Sequence, residues 1–84
     1  MNKTILITGS NSGIGKITAE YFAEKNWQVI ATMRNTEKAG SLKEHPNISI
    51  YELDVTDTQS IENSKAAILN DFEKIDVIVN NAGF

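Results

Sequence analysis

Cysteine is absent from this 84-residue chain, and proline, histidine and tryptophan occur once each, as Pro46, His45 and Trp27. Without cysteine there is no disulfide frame and no thiolate metal site. His45, beside Pro46 and with no second histidine, is not expected to ligate a metal. Aromatic residues make up only 7% of the chain, and Trp27 and Phe22 are expected to pack between sheet and helix, not to stack bases. Long apolar runs are also missing: MNKTILITGS is too short in its apolar part for a signal-peptide core or a membrane span. Positive charge is not in excess, since eight Lys/Arg against eleven Asp/Glu give −3. That balance argues against nucleic acid as a partner. The charge is uneven, with six basic and four acidic residues over 1–47 and two and seven over 48–84. N-x-S/T triplets stand at Asn2 and Asn47, but the expected setting is cytoplasmic, with no membrane partner, where neither is glycosylated.

What is present is an ordinary globular composition, 40% apolar and 23% charged, in a chain long enough for one small domain. Short β-rich runs alternate with longer segments of helical period. Lys3–Thr8 suits a strand buried on both faces. Ile14–Lys25 follows as a helix whose apolar stripe is Ile14, Ile17, Tyr21 and Phe22. Trp27–Met33 is a second strand, and Thr36–Glu44, interrupted by Gly40, a short weak helix. Ile48–Leu53 is a third strand. Thr56 with Gln59 forms a capping box opening a helix to about Phe72, with Ile61, Ile68, Leu69 and Phe72 inward. Ile75–Val79 is a fourth strand.

The order β-α-β-α-β-α-β with right-handed crossovers predicts an α/β fold, a partial doubly wound parallel sheet of strand order 3-2-1-4. Such sheets carry a second βαβ half after the fourth strand. The expectation is therefore that residues 1–84 are the first half of a larger domain. The apolar fourth strand is left as an open edge, prone to self-association or to pairing with the missing half.

Between the first strand and first helix lies Thr8-Gly9-Ser10-Asn11-Ser12-Gly13-Ile14-Gly15. Its G-x-x-x-G-x-G spacing differs from the usual dinucleotide fingerprint, but the physics is the same. Glycine after a strand permits the tight turn, and residues without Cβ let phosphate oxygens reach backbone amides at a helix N-terminus. Ser10, Asn11 and Ser12 add short donors for phosphate or ribose oxygens. A P-loop fails twice, because Ser10 stands where its first glycine belongs and Ile17 where its Ser/Thr belongs.

Three ordered segments now carry a resemblance. Thr8-Gly-x-x-x-Gly-Ile-Gly15 after the first strand, Asp54-Val55 after the third and Asn80-Asn81-Ala82-Gly83 after the fourth resemble the short-chain dehydrogenase/reductase family over the whole chain. The resemblance implies an NAD(P)-binding Rossmann-like fold and an oxidoreductase that interconverts alcohols and carbonyls. It implies that Gly9, Gly13, Ile14 and Gly15 line the pyrophosphate and adjoining ribose, and that Asp54 and Val55 hold the adenine. Asn81, Ala82 and Gly83 would lie beside the ribose portions of the cofactor, while Thr8 braces the sheet. Read without it, Asp54 is a residue before a capped helix and Asn81-Ala82-Gly83 a turn.

The choice of dinucleotide turns on the end of the second strand. NAD enzymes place a carboxylate about 20 residues past the glycines; here that count reaches Met33, Arg34 and Asn35. Arg34 can pair with the 2′-phosphate of NADP, so NADP is favoured over NAD, with a solvated surface arginine as the plain alternative. Lys43 is expected to face solvent, as is Lys38 unless it lends charge near that phosphate.

The family's chemistry uses a Tyr-x-x-x-Lys pair with a preceding Ser on later elements. Tyr21 to Lys25 fits that pattern, but on the buried stripe of the first helix it is expected to be packing. Tyr51 has no lysine four residues on. No catalytic residue is therefore expected within these 84 residues, which alone should not turn over a substrate. The competing expectation is a non-catalytic nucleotide-binding or interaction module that self-associates through its open sheet edge.

Overall fold

The computed structural model describes residues 3–10 and 13–80. Strands β1 (Thr4–Thr8), β2 (Gln28–Met33), β3 (Ile48–Glu52) and β4 (Val77–Val79) form one parallel sheet in the order β3-β2-β1-β4. The expected strand order is thus observed. Helix α1 (Gly13–Glu24) joins β1 to β2, and helix α2 (Thr58–Asp71) joins β3 to β4. β1 is buried along nearly its whole length, as its unbroken apolar run predicts.

Alternation along the central strands divides the core between two faces. Ile5, Ile7, Val29, Ala31 and Met33 join Ala19 and Ala23 of α1, with Ala39 and Leu42 of the segment after β2, in one buried cluster. Leu6 and Ile78 turn to the other face, where they meet Ile61, Ile68 and Leu69 of α2 around an apolar cavity of about 280 Å³.

α1 buries a different stripe from the one expected, and α2 buries only part of its own. α1 turns Gly15, Ala19 and Ala23 inward, while Ile14, Ile17 and Tyr21 are 74%, 66% and 55% exposed. A row of small residues four apart lets the helix lie close against the sheet, and the bulkier row is left outside. Phe22 is the one member of the expected stripe that packs inward in part, edge-on to Trp27 at 4.8 Å between ring centroids. In α2 the buried residues are Ser64 and Ile68; Ile61 and Leu69 are exposed, and Phe72 is the residue that caps the helix.

Three local expectations are also corrected. The Thr36–Glu44 segment is a pair of 3₁₀ turns broken at Gly40, with Asn35 capping its start through Glu37 N–H at 3.0 Å. α2 is capped by Asp57, whose carboxylate accepts from Gln59 N–H at 3.0 Å, because Thr56 is already bound to Asp54. β4 starts two residues later than expected, at Val77; Asp76, just before it, clasps Thr4 by donating its N–H to Thr4 C=O at 2.8 Å and accepting Thr4 N–H on its side chain at 2.8 Å. The Asn47 side chain donates to the carbonyls of Ala23 and Trp27 at 2.8 and 2.7 Å, tying α1 and β2 to the start of β3. No helix among the described residues is long and apolar enough to cross a membrane.

Candidate nucleotide-binding site

In a parallel sheet with helices on both faces, ligands settle outside the carboxyl ends of the strands. Three junctions meet there, after β1, β2 and β3.

After β1 the chain turns through Gly9 with φ 65° and enters α1 at Gly13 with φ 60°. Both values lie in the left-handed region that glycine tolerates and side chains rarely adopt. A Cβ at Gly13 would meet nothing within 4 Å, so the helix start is open on that side. The first turn of α1 carries no acidic residue, and its leading amides have no intrahelical acceptors. The arrangement suits an anion, drawn by free N–H groups and the positive end of the helix dipole.

Ser10 does not join that cradle. It is fully buried, its hydroxyl donates to Ile7 C=O at 2.7 Å and its amide to Thr32 C=O at 3.0 Å. Thr32 donates to the same Ile7 carbonyl at 3.3 Å. The expected phosphate donor is instead a staple that fastens the turn across β1 and β2. Ile14, left out of the packed stripe, stands exposed at the turn, and Gly15 is buried on the sheet side. The Thr8 hydroxyl lies 3.2 Å from Asn80 Oδ1 and 3.5 Å from Val79 C=O, bracing β1 to the end of β4.

After β2, Met33 is buried and Arg34 emerges exposed. Together with the end of β3 and the first turns of α2 it lines a polar cavity of about 350 Å³, whose wall includes Glu52, Asp54, Asp57, Ser60 and Ser64. Asp54 is half-buried there. Its Oδ1 accepts the Thr56 hydroxyl at 2.6 Å and the Thr56 amide at 2.9 Å. Those hydrogen bonds, helped by the charge of Arg34, hold its carboxyl below the usual carboxylate range. An ionised Asp54 at neutral pH is an acceptor for an amino group, and Val55 beside it is half-buried.

Asn11, Ser12, Asn81, Ala82 and Gly83, also expected at the site, lie outside the described residues. Tyr21 and Lys25 do not form an acid–base pair: the Lys25 ammonium sits 5.5 Å from the centroid of the Tyr21 ring, over its face. Ser60 and Ser64 were missed by the sequence reading. The signal for them was a pair of hydroxyls four apart on a helix face assigned to apolar residues.

The family model for short chain dehydrogenases matches residues 3–84. The chain belongs to this family. It is 40% identical over 85 residues to serine 3-dehydrogenase of Agrobacterium fabrum, covering 99% of this chain and 34% of that one. It is 38% identical over 81 residues to the NADP-dependent 3-hydroxy acid dehydrogenase YdfG of Salmonella typhi, covering 94% and 33%. Among solved structures, ElxO with NADP bound superposes with a TM-score of 0.87 at 39% identity, over 100% of this chain and 36% of that one. The chain therefore spans about a third of the length of the curated relatives it matches.

Proposed function

We propose that residues 1–84 are the cofactor-binding portion of a short-chain dehydrogenase that prefers NADP(H) to NAD(H). The observation that carries the reading is the open glycine turn at the head of α1, set beside Arg34 and Asp54 at the same end of the sheet. The amides of Gly13 to Gly15 bind the pyrophosphate, Arg34 pairs with the 2′-phosphate, and Asp54 with Val55 receives the adenine. Asn81, Ala82 and Gly83, which the resemblance assigns to the ribose portions, complete the set in this reading. Support for NADP comes from the exposed cation where NAD enzymes keep a carboxylate, and from relatives that are NADP-dependent or hold NADP.

In the parent enzyme the bound nicotinamide supplies or takes the hydride in an alcohol–carbonyl interconversion. The residues of this chain contribute binding and orientation only. These 84 residues alone are expected not to oxidise NADPH with any carbonyl substrate. Calorimetry tests the cofactor assignment: the chain binds NADPH more tightly than NADH, and Arg34→Ala weakens NADPH by about 10- to 100-fold through loss of charge-assisted bonds. An equal loss for both dinucleotides removes Arg34 as the discriminator.

A second reading has one observation in its favour. β4 is the sheet edge, with Val77 40% and Ile78 65% exposed. A non-catalytic module that pairs with a copy of itself along β4 would cover them. Sedimentation tests this reading: a monomer at high concentration rules it out, and a dimer broken by Ile78→Lys puts the contact on β4.

A further inference from the structure

We propose that Ser60 is a positioning residue that holds Asp54 at the adenine end of the nucleotide site, with Ser64 fixing the helix on which Ser60 stands. The inference rests on the nucleotide-binding reading above and deepens it. Asp54 follows the last residue of β3 by two, in a stretch with no ladder of its own. Three consecutive residues there are each tied down by a different group. Glu52 C=O accepts the Ser64 hydroxyl. Leu53 N–H donates to Met33 C=O at 2.8 Å. Asp54 N–H donates to Ser60 Oγ at 2.9 Å.

Ser60 and Ser64 are one turn apart on α2 and so share a face. Serine has no helix-propensity advantage at either position, and its hydroxyl competes with the helix backbone. Here both hydroxyls reach out of the helix to the strand end. Their combined effect is to fix the backbone of Asp54 against the first turns of α2. The carboxylate is then oriented by Thr56, and both of those bonds fall on Oδ1. Oδ2 is the oxygen presented to an incoming donor, such as the exocyclic amino group of adenine. A hypoxanthine ring offers a carbonyl at that position, which a carboxylate repels, so the contact discriminates between the two bases.

The test uses the full chain, with NADPH and its hypoxanthine analogue as ligands, and an NMR titration of the Asp54 carboxyl without nucleotide. Wild type is expected to prefer NADPH. Ser60→Ala is expected to lose about tenfold of that preference, as for one hydrogen bond, and to return the Asp54 carboxyl toward its ordinary titration range. Ser60→Thr, which keeps the hydroxyl, is expected to restore both. If wild type prefers NADPH and Ser60→Ala keeps the preference, or weakens both ligands equally, the positioning role is overturned while the nucleotide reading stands. If wild type binds neither ligand, the nucleotide reading fails and this proposal with it. If it binds both alike, the nucleotide reading stands and the positioning of Asp54 against the adenine amino group is overturned.

Discussion

The junctions after β1 and after β3 open onto the same end of the sheet and are built by opposite means. At the first, side chains withdraw. Ser10 turns inward, two glycines take left-handed backbone, and α1 begins with no acid in its first turn. At the second, side chains crowd in. Asp57 caps α2, Thr56 binds Asp54, and Ser60 and Ser64 bind the strand end. The first junction thereby leaves amides for an anion; the second consumes its amides and offers a carboxylate. A dinucleotide needs both kinds of end, a pyrophosphate held by donors and a base amino group held by an acceptor.

The largest effect is expected from putting a side chain into the first junction. Gly13→Val forces a β-branched residue to φ near 60°, at a cost of about 1–3 kcal/mol in stability. It also sets methyl groups where a phosphate approaches, and NADPH affinity should fall about 100-fold or more in calorimetry. Retained binding would mean the open turn is not the anion site. At the second junction, Asp57→Ala removes an N-cap and should lower stability by about 1 kcal/mol in urea denaturation. It should not weaken NADPH, because the Asp57 carboxylate is taken up by the helix cap and is assigned no contact with the nucleotide. A loss of binding would mean that the cap of α2 helps to hold the adenine end.

The smallest effect is in acid. Asp54 has a folded pKa below its ordinary value, so its contribution to stability is fully present above the unfolded value. That contribution is lost as the pH falls through the folded one. Asp54→Asn should flatten this part of the stability profile below about pH 4. An unchanged acid limb would show that the Thr56 bonds are not kept in solution. The opposite limb has its own marker. Burial, then the 2.5 Å bond to Asp71, pushes the Tyr51 hydroxyl up to about 12. Stability should therefore decline between about pH 10 and 12, and Tyr51→Phe should abolish that decline.

Strand order and the glycine turn were legible in the sequence because both follow from strong local patterns: unbroken β-branched runs, and glycines where the backbone must bend. The buried face of α1 was not. Periodicity places Ile14, Ile17 and Tyr21 on one side of α1 correctly, yet cannot tell which side meets the sheet when the opposite row is Gly15, Ala19 and Ala23. In α2 the expected face is the right one, but only Ile68 on it is buried, while Ile61 and Leu69 line the apolar cavity and stay exposed. The capping box failed for a related reason: Thr56 has two possible partners, and the nearby Asp54 carboxylate outcompetes the helix amide. Ser10 looked like a ligand donor because it stands in a glycine-rich turn, whereas the direction of its hydroxyl depends on Ile7 and Thr32 in neighbouring strands.

The small-residue seam of α1 turns the usual expectation about tolerance upside down. In a saturation screen of these residues for folding, isoleucines 14 and 17 should accept polar replacements with little penalty. Ala19 and Ala23 should reject anything larger than serine, because each added methylene levers the helix off the sheet. Since the glycine turn rides on the end of that lever, such variants should lose nucleotide affinity before they lose their fold.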